Sequence, residues 1–139
     1  KIMEIETLKT NIPHAKDNRS SNCTLLGFDL PSLVDTMKQS YTWANGELNA
    51  LTLLKSRDKQ IILTVIHEGT EIKSFQSNDS VTFQIIEGKL RFHIRKDTVT
   101  LNEGQLMTLD EKIKYRLTTQ EETVFLLTIS NGITRAANN

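Results

Sequence analysis

Three histidines, one cysteine and two tyrosines are the side chains of this 139-residue protein best suited to acid–base, nucleophilic or metal chemistry. His14 follows Pro13 in the polar run "HAKDNRSSN", which reads as a loop, so a solvated histidine is expected there. His67 ends the run "IILTVIH". Glu68 and Glu71 lie close in sequence, so the group has the parts for proton transfer at a strand end, although a solvated histidine is the plainer reading. His93 sits in "KLRFHIR". It alternates with Leu90, Phe92 and Ile94 and shares a face with Arg91 and Arg95, so it should point outward. Cys23 has no cationic or histidine neighbour to lower its pKa and reads as an inert small residue. No Ser-His-Asp order, glycine-rich phosphate loop or paired-carboxylate signature is present.

Short strands must position these residues. "ELNALTLLKS" and "KQIILTVIH" flank "SRDK", a hairpin turn. After them come "VTFQII", "KLRFHIR", "TVTL", "QLMTL", "KYRLTT" and "TVFLLTI", separated by polar or glycine turns such as Glu87-Gly88 and Asn102-Glu103-Gly104. Many short strands at even spacing predict an all-β sandwich or barrel. Val81, Phe83 and Ile85 share one face of their strand, and "VFLLTI" is apolar on both of its faces. One helix is predicted at "FDLPSLVDTMKQS". Asp29 stands at its N-cap and Pro31 in its first turn. Leu30, Leu33, Val34 and Met37 form its apolar stripe, and Phe28 and Leu33 are spaced for a hydrophobic staple. Residues 1–46 read as an arm plus this helix, 47–130 as the barrel and 131–139 as a polar tail. In the arm, Ile2, Met3, Ile5 and Leu8 suit a short strand or a contact with a partner.

From Gly69 to Thr119 the spacing of glycines and polar positions is similar to that of the cupins, and the resemblance extends over residues 69–129. The cupin's first motif runs Gly, five residues, His-x-His, three or four residues, Glu, six residues, Gly. Here Gly69 opens it, Phe75 and Ser77 take the histidine places, Val81 takes the glutamate place and Gly88 closes it. The second motif runs Gly, five residues, Pro-x-Gly, two residues, His, three residues, Asn. Here Gly104 opens it, Asp110-Glu111-Lys112 take the Pro-x-Gly place, Tyr115 the histidine place and Thr119 the asparagine place. The resemblance implies a double-stranded β-helix, a jelly roll, with one N-terminal α-helix added. The three glycines stand where strands reverse and a positive φ is expected.

The departures from the motif matter as much as the matches. Cupins that bind a metal use three histidines and a glutamate. Phe75 and Val81 have no donor atom, and Ser77 and Tyr115 are poor ligands for Fe, Mn, Ni, Cu or Zn, so no metal and no cofactor is expected. If the motif alignment holds, Phe75, Ser77, Val81, Phe83 and Tyr115 line the barrel. Two readings of them stay open: Phe75 plugs the barrel, or the set forms an apolar pocket with Ser77 and Tyr115 as polar hooks for a small organic ligand. Some cupins epimerise sugar nucleotides without metal, using a histidine base and a tyrosine acid. That chemistry requires an inward histidine: His93, on a core strand, has the wrong parity for it, and His67 at a strand end could sit only at the barrel mouth.

The bulk numbers narrow the partners. Lys plus Arg and Asp plus Glu are both 17, so the chain lacks the basic footprint of a nucleic-acid binder. Arg91, His93, Arg95, Lys114 and Arg116 suggest a basic patch. Glu103, Asp110, Glu111, Glu121 and Glu122 would offset it, and a solvated charged face is expected. No apolar run suits a membrane helix, the opening "KIMEIETLKT" lacks an apolar leader region, and a single cysteine fits a reducing compartment, so a cytoplasmic location is expected. The expected function is that of a metal-free binding or regulatory module, paired as a homodimer. A metal-independent isomerase acting on a carbohydrate-like substrate and a structural dimeric scaffold are the alternatives.

Overall fold

The structure, a computed structural model, describes residues 2–4, 26–73, 79–110 and 113–130. Ten strands and two helices are assigned in it. The strands are β1 (Ile2–Glu4), β2 (Leu48–Lys55), β3 (Lys59–Ile66), β4 (Glu71–Lys73), β5 (Ser80–Glu87), β6 (Lys89–Ile94), β7 (Asp97–Asn102), β8 (Leu106–Leu109), β9 (Arg116–Thr119) and β10 (Thr123–Ser130). The helices are α1 (Leu30–Lys38) and α2 (Tyr41–Asn45). The tail 131–139, and Ile5, Leu8, His14 and Cys23 of the arm, lie outside the described residues.

The strands form two five-stranded sheets. Sheet I runs β1-β4-β9-β6-β7 and sheet II runs β2-β3-β10-β5-β8. Neighbours pair antiparallel except β1, which lies parallel to β4 with Ile2 opposite Glu71. Consecutive strands repeatedly cross from one sheet to the other, which is the winding of a jelly roll. The period-two pattern explains why they face each other. Val81, Phe83 and Ile85 of β5, Leu90 and Phe92 of β6, Leu117 of β9, and Phe125, Leu127 and Ile129 of β10 meet in one core between the sheets. Burying a side chain of this size stabilises by about 1.5–3 kcal/mol before chain entropy is counted, so this set dominates the folding free energy.

A second, smaller core covers the outer face of sheet II. Val34 and Met37 of α1 and Trp43 of α2 bury Leu53, Leu63, Val65 and Val124. This is why "VFLLTI" is apolar on both faces. Asp29 occupies the N-cap of α1, but its side chain makes no capping hydrogen bond. The helix is held instead by its buried stripe and by Lys38, whose Nζ lies 2.6 Å from Glu122 and 3.6 Å from Glu87. Burial lowers the Lys38 pKa, but the two carboxylates more than offset that and leave it raised. The short helix α2 starts at Ser40, whose Oγ accepts from Trp43 N at 3.2 Å and donates to Met37 O at 2.9 Å. Buried Asn49 of β2 donates to Met37 O and to Ser40 Oγ, tying the helical corner to the sheet.

Candidate functional site

Rings fill the middle of the barrel. Phe83, Phe92 and Phe125 have no solvent exposure, and Tyr115 is 7% exposed. Phe83 stands edge-on to Phe92 with ring centroids 4.8 Å apart, 5.6 Å from Phe125, and edge-on to Tyr115 at 5.8 Å. Four aromatic rings from β5, β6, β10 and the segment before β9 therefore meet around Phe83 in the barrel core. The inward side chains of the described strands are mostly Val, Ile, Leu, Phe, Met, Ala and Thr, with Gln60 opposite Ile129 and the exposed Asp97 opposite Ile94 at the strand ends. Across sheet II one inner row reads Ala50, Thr64, Phe125, Ile85. Thr64 is wholly buried and its Oγ1 has no hydrogen-bond partner.

Of the pocket candidates, Val81, Phe83 and Tyr115 come together in the barrel core. Phe75 and Ser77 lie outside the described residues, as do Glu111 and Lys112 of the second motif. The donor test for a metal can still be made. A valine and a tyrosine stand at Val81 and Tyr115, packed among hydrocarbon, and they do not fit a transition-metal ion. Among the described residues no three of His, Cys, Asp and Glu cluster closely enough to hold one.

The motif residues that remain are architectural. Gly69, Gly88 and Gly104 have φ of 75°, 86° and 85°. Gly88 is also pressed against the β9–β10 turn, where a Cβ would stand 2.4 Å from Glu122 O. Thr119, in the asparagine place of the second motif, is buried. Its Oγ1 donates to His67 O at 2.7 Å and accepts from Thr70 N at 3.1 Å, while its backbone exchanges hydrogen bonds with the Gly69–Thr70 turn. Thr119 thus clamps the loop that opens the first motif.

Neither described histidine faces the barrel. His67 stacks on Trp43, with ring centroids 3.4 Å apart and planes 14° from parallel. Its Nε2 is 2.8 Å from Trp43 O, so it fastens α2 to the end of β3. Glu71, expected near His67, points to the outer face of sheet I and pairs with Arg116 at 3.0 Å. His93 lies outward as its parity predicted, between Thr118 Oγ1 at 3.1 Å and Thr98 Oγ1 at 3.4 Å. Partial burial, then Arg116 and Arg91, lower its pKa, against a smaller opposing effect of Glu71. Sequence reasoning missed the Trp43–His67 stack because its members are 24 residues apart, with no local pattern to announce the contact.

No protein-family model matches the sequence, and none of the curated proteins does. Solved structures match the fold. The cupin domain of Schizosaccharomyces pombe Cnp3 superposes with a TM-score of 0.65 at 14% identity, covering 81% of this chain and 79% of that one. An uncharacterised Klebsiella pneumoniae protein with a double-stranded β-helix domain gives 0.60 at 18% identity, covering 79% and 91%. The cupin domain of an XRE family transcriptional regulator from Enterobacter cloacae gives 0.55 at 13% identity, covering 60% and 96%. At these identities the likeness shows the fold alone. The protein has the cupin, RmlC-like double-stranded β-helix fold, and its sequence lacks the histidines and glutamate through which other cupins bind metal. No described helix is long and apolar enough to cross a membrane.

Proposed function

We propose that this protein is a metal-free cupin binding module of the regulatory or scaffolding kind, acting through its surface and pairing with a second copy of itself. The observation that carries this reading is the ring cluster of Phe83, Phe92, Phe125 and Tyr115 inside the barrel. These rings pack against one another inside the barrel, which supports a filled interior over an open pocket. Acid–base catalysis also requires an ionisable group of suitable pKa within hydrogen-bond reach of substrate, and among the described residues no His, Asp or Glu is buried in the barrel. This favours binding over the isomerase alternative. A small organic ligand would be confined to the end of the barrel near Val81 and Tyr115, where Phe75 and Ser77 were expected to contribute.

The surface suited to a second copy surrounds α1. Phe28, Leu30 and Leu33 beside the helix stripe, and Leu51, Ile61, Ile86 and Leu126 of sheet II, are only partly buried against the second core. The organisation that follows from this reading is a barrel over 47–130, joined at the edge of sheet I by β1 of the arm, with the helical segment forming the interaction surface. The unit would be read out inside a cell as a homodimer in a cytoplasmic setting.

Sedimentation velocity over a dilution series tests the proposal. A dimer is expected, and Leu30→Asp should give a folded monomer with the circular dichroism of the wild type, because Leu30 at the start of α1 is only partly buried. Leu126→Asp serves as a second variant. A wild-type chain that sediments as a monomer throughout contradicts the reading. Turnover of a carbohydrate substrate that survives Tyr115→Phe contradicts it as well.

A further inference from the structure

The outer face of sheet I gathers cations that the barrel excludes. Arg91 and His93 stand on β6. Arg116 of β9 is directly opposite His93, with Thr98 of β7 on its other side, and Thr118 and Thr100 flank Arg91 in the same way. Side chains directly across antiparallel strands have Cβ atoms about 4.5–5.5 Å apart, and like charges at that spacing repel. Lys73 of β4 extends the row beside Arg116, and Glu71 is the carboxylate paired on this face. Such a cluster weakens the sheet unless an anion joins it, and local conflicts of this kind tend to mark binding sites.

Hydrogen bonds hold the cationic heads without exhausting them. Arg116 Nη1 donates to Glu71 Oε2 at 3.0 Å and Arg91 Nη2 donates to Gln120 Oε1 at 3.1 Å. A guanidinium has five N–H donors, so each arginine is oriented with donors to spare. His93 sits between them with a hydroxyl at each ring nitrogen. Among the described residues no aromatic side chain stands on this face. The described aromatic rings lie in the barrel or in the helical segment 28–45, so this face as described offers no stacking platform for single-stranded nucleic acid.

We propose that Arg91, His93 and Arg116, with the Thr98 and Thr118 hydroxyls, form a binding site for a tetrahedral oxyanion of the phosphate or sulfate class, free or as a monoester. Two guanidinium forks and hydroxyl donors match the geometry of such an anion. Bound there, a dianion relieves the repulsion among the three basic groups and favours the imidazolium of His93. Anion binding and proton uptake at His93 are therefore linked. The groups that set this balance are Arg91 beside His93 on β6, Arg116 on β9, and Glu71 and Lys73 on β4. β7 contributes only the uncharged Thr98 and Thr100.

The test follows the His93 Cε1–H resonance through a pH titration in sodium chloride and in sodium sulfate at equal ionic strength. Sulfate keeps one charge throughout. The expected result is a saturable rise of the His93 midpoint in sulfate, with His67 unmoved, and loss of the rise in both Arg91→Gln and Arg116→Gln. Equal midpoints in the two salts overturn the proposal. Inorganic phosphate and O-phosphoserine then compete with sulfate at His93. Tighter competition by the ester assigns the site to a monoester carried on a larger molecule, and equal competition assigns it to the free anion. Displacement by a short DNA duplex but by neither small anion also overturns it.

Discussion

The inside of the barrel and the outer face of sheet I are built on the same strands and differ in every other respect. Phe92 and His93 are adjacent on β6, yet one is wholly buried against Phe83 and the other is hydrogen-bonded to threonine hydroxyls between two arginines. In a cupin that works as an enzyme, the inner face carries the chemistry and the outer face is solvent-facing scaffold. Here the polarity of interest is reversed. Among the described residues the buried interior is mainly hydrocarbon and rings, and the ionisable side chains lie outside it. A strand's period of two lets one sequence specify both faces independently, so a barrel can lose its reactive interior without disturbing its exterior.

The contrast predicts an ordered series of effects. Phe83→Ala should cost about 3–5 kcal/mol, since it removes a wholly buried ring touching three others. Urea unfolding reads this directly. A loss below about 1 kcal/mol would mean that the interior is loosely filled and has room for a ligand. Thr119→Val should come next, at about 2–3 kcal/mol, because it strands the Thr70 N–H and leaves His67 O without its hydroxyl donor. Thr64→Val should have the opposite sign and raise stability by about 1 kcal/mol, because the Thr64 hydroxyl is buried without a partner and valine keeps its shape. If this variant is destabilised instead, a polar guest beside Thr64 is the simplest cause.

The smallest effect lies on the outer face and depends on pH. The folded pKa of His93 is lowered from 6.5, so protonation favours the unfolded chain. Its contribution is fully present above the ordinary histidine value and is lost as pH falls from there toward the lower folded value. Between about pH 7.5 and 5.5 the wild type should therefore lose more stability than His93→Gln, as measured by the urea midpoint at each pH. Parallel curves for the two proteins would remove His93 from the pH response.

Much of the fold was legible in the sequence because alternation and glycine placement are local signals. The inward sets on β5, β6 and β10 follow from period two, and Gly69, Gly88 and Gly104 have the positive φ expected of them. Two elements carried no such signal. The strand β4 has only Ile72 facing the core, too short a run to show a period. The helix α2, "YTWAN", is rich in poor helix formers and exists because Ser40 caps it and Trp43 is buried. Only one N-terminal helix was expected, and the described residues hold two. In the candidate site, Phe83 was legible from parity and Tyr115 from the motif frame. The mutual packing of Phe83, Phe92, Phe125 and Tyr115 was not, because it joins strands across the chain.

Native mass spectrometry of the protein as purified tests the central claim most directly. The account predicts a mass that equals two copies of the polypeptide alone, unchanged by prior dialysis against a chelator. A transition-metal ion held in one-to-one ratio, or a small organic molecule that leaves only on unfolding, would contradict it.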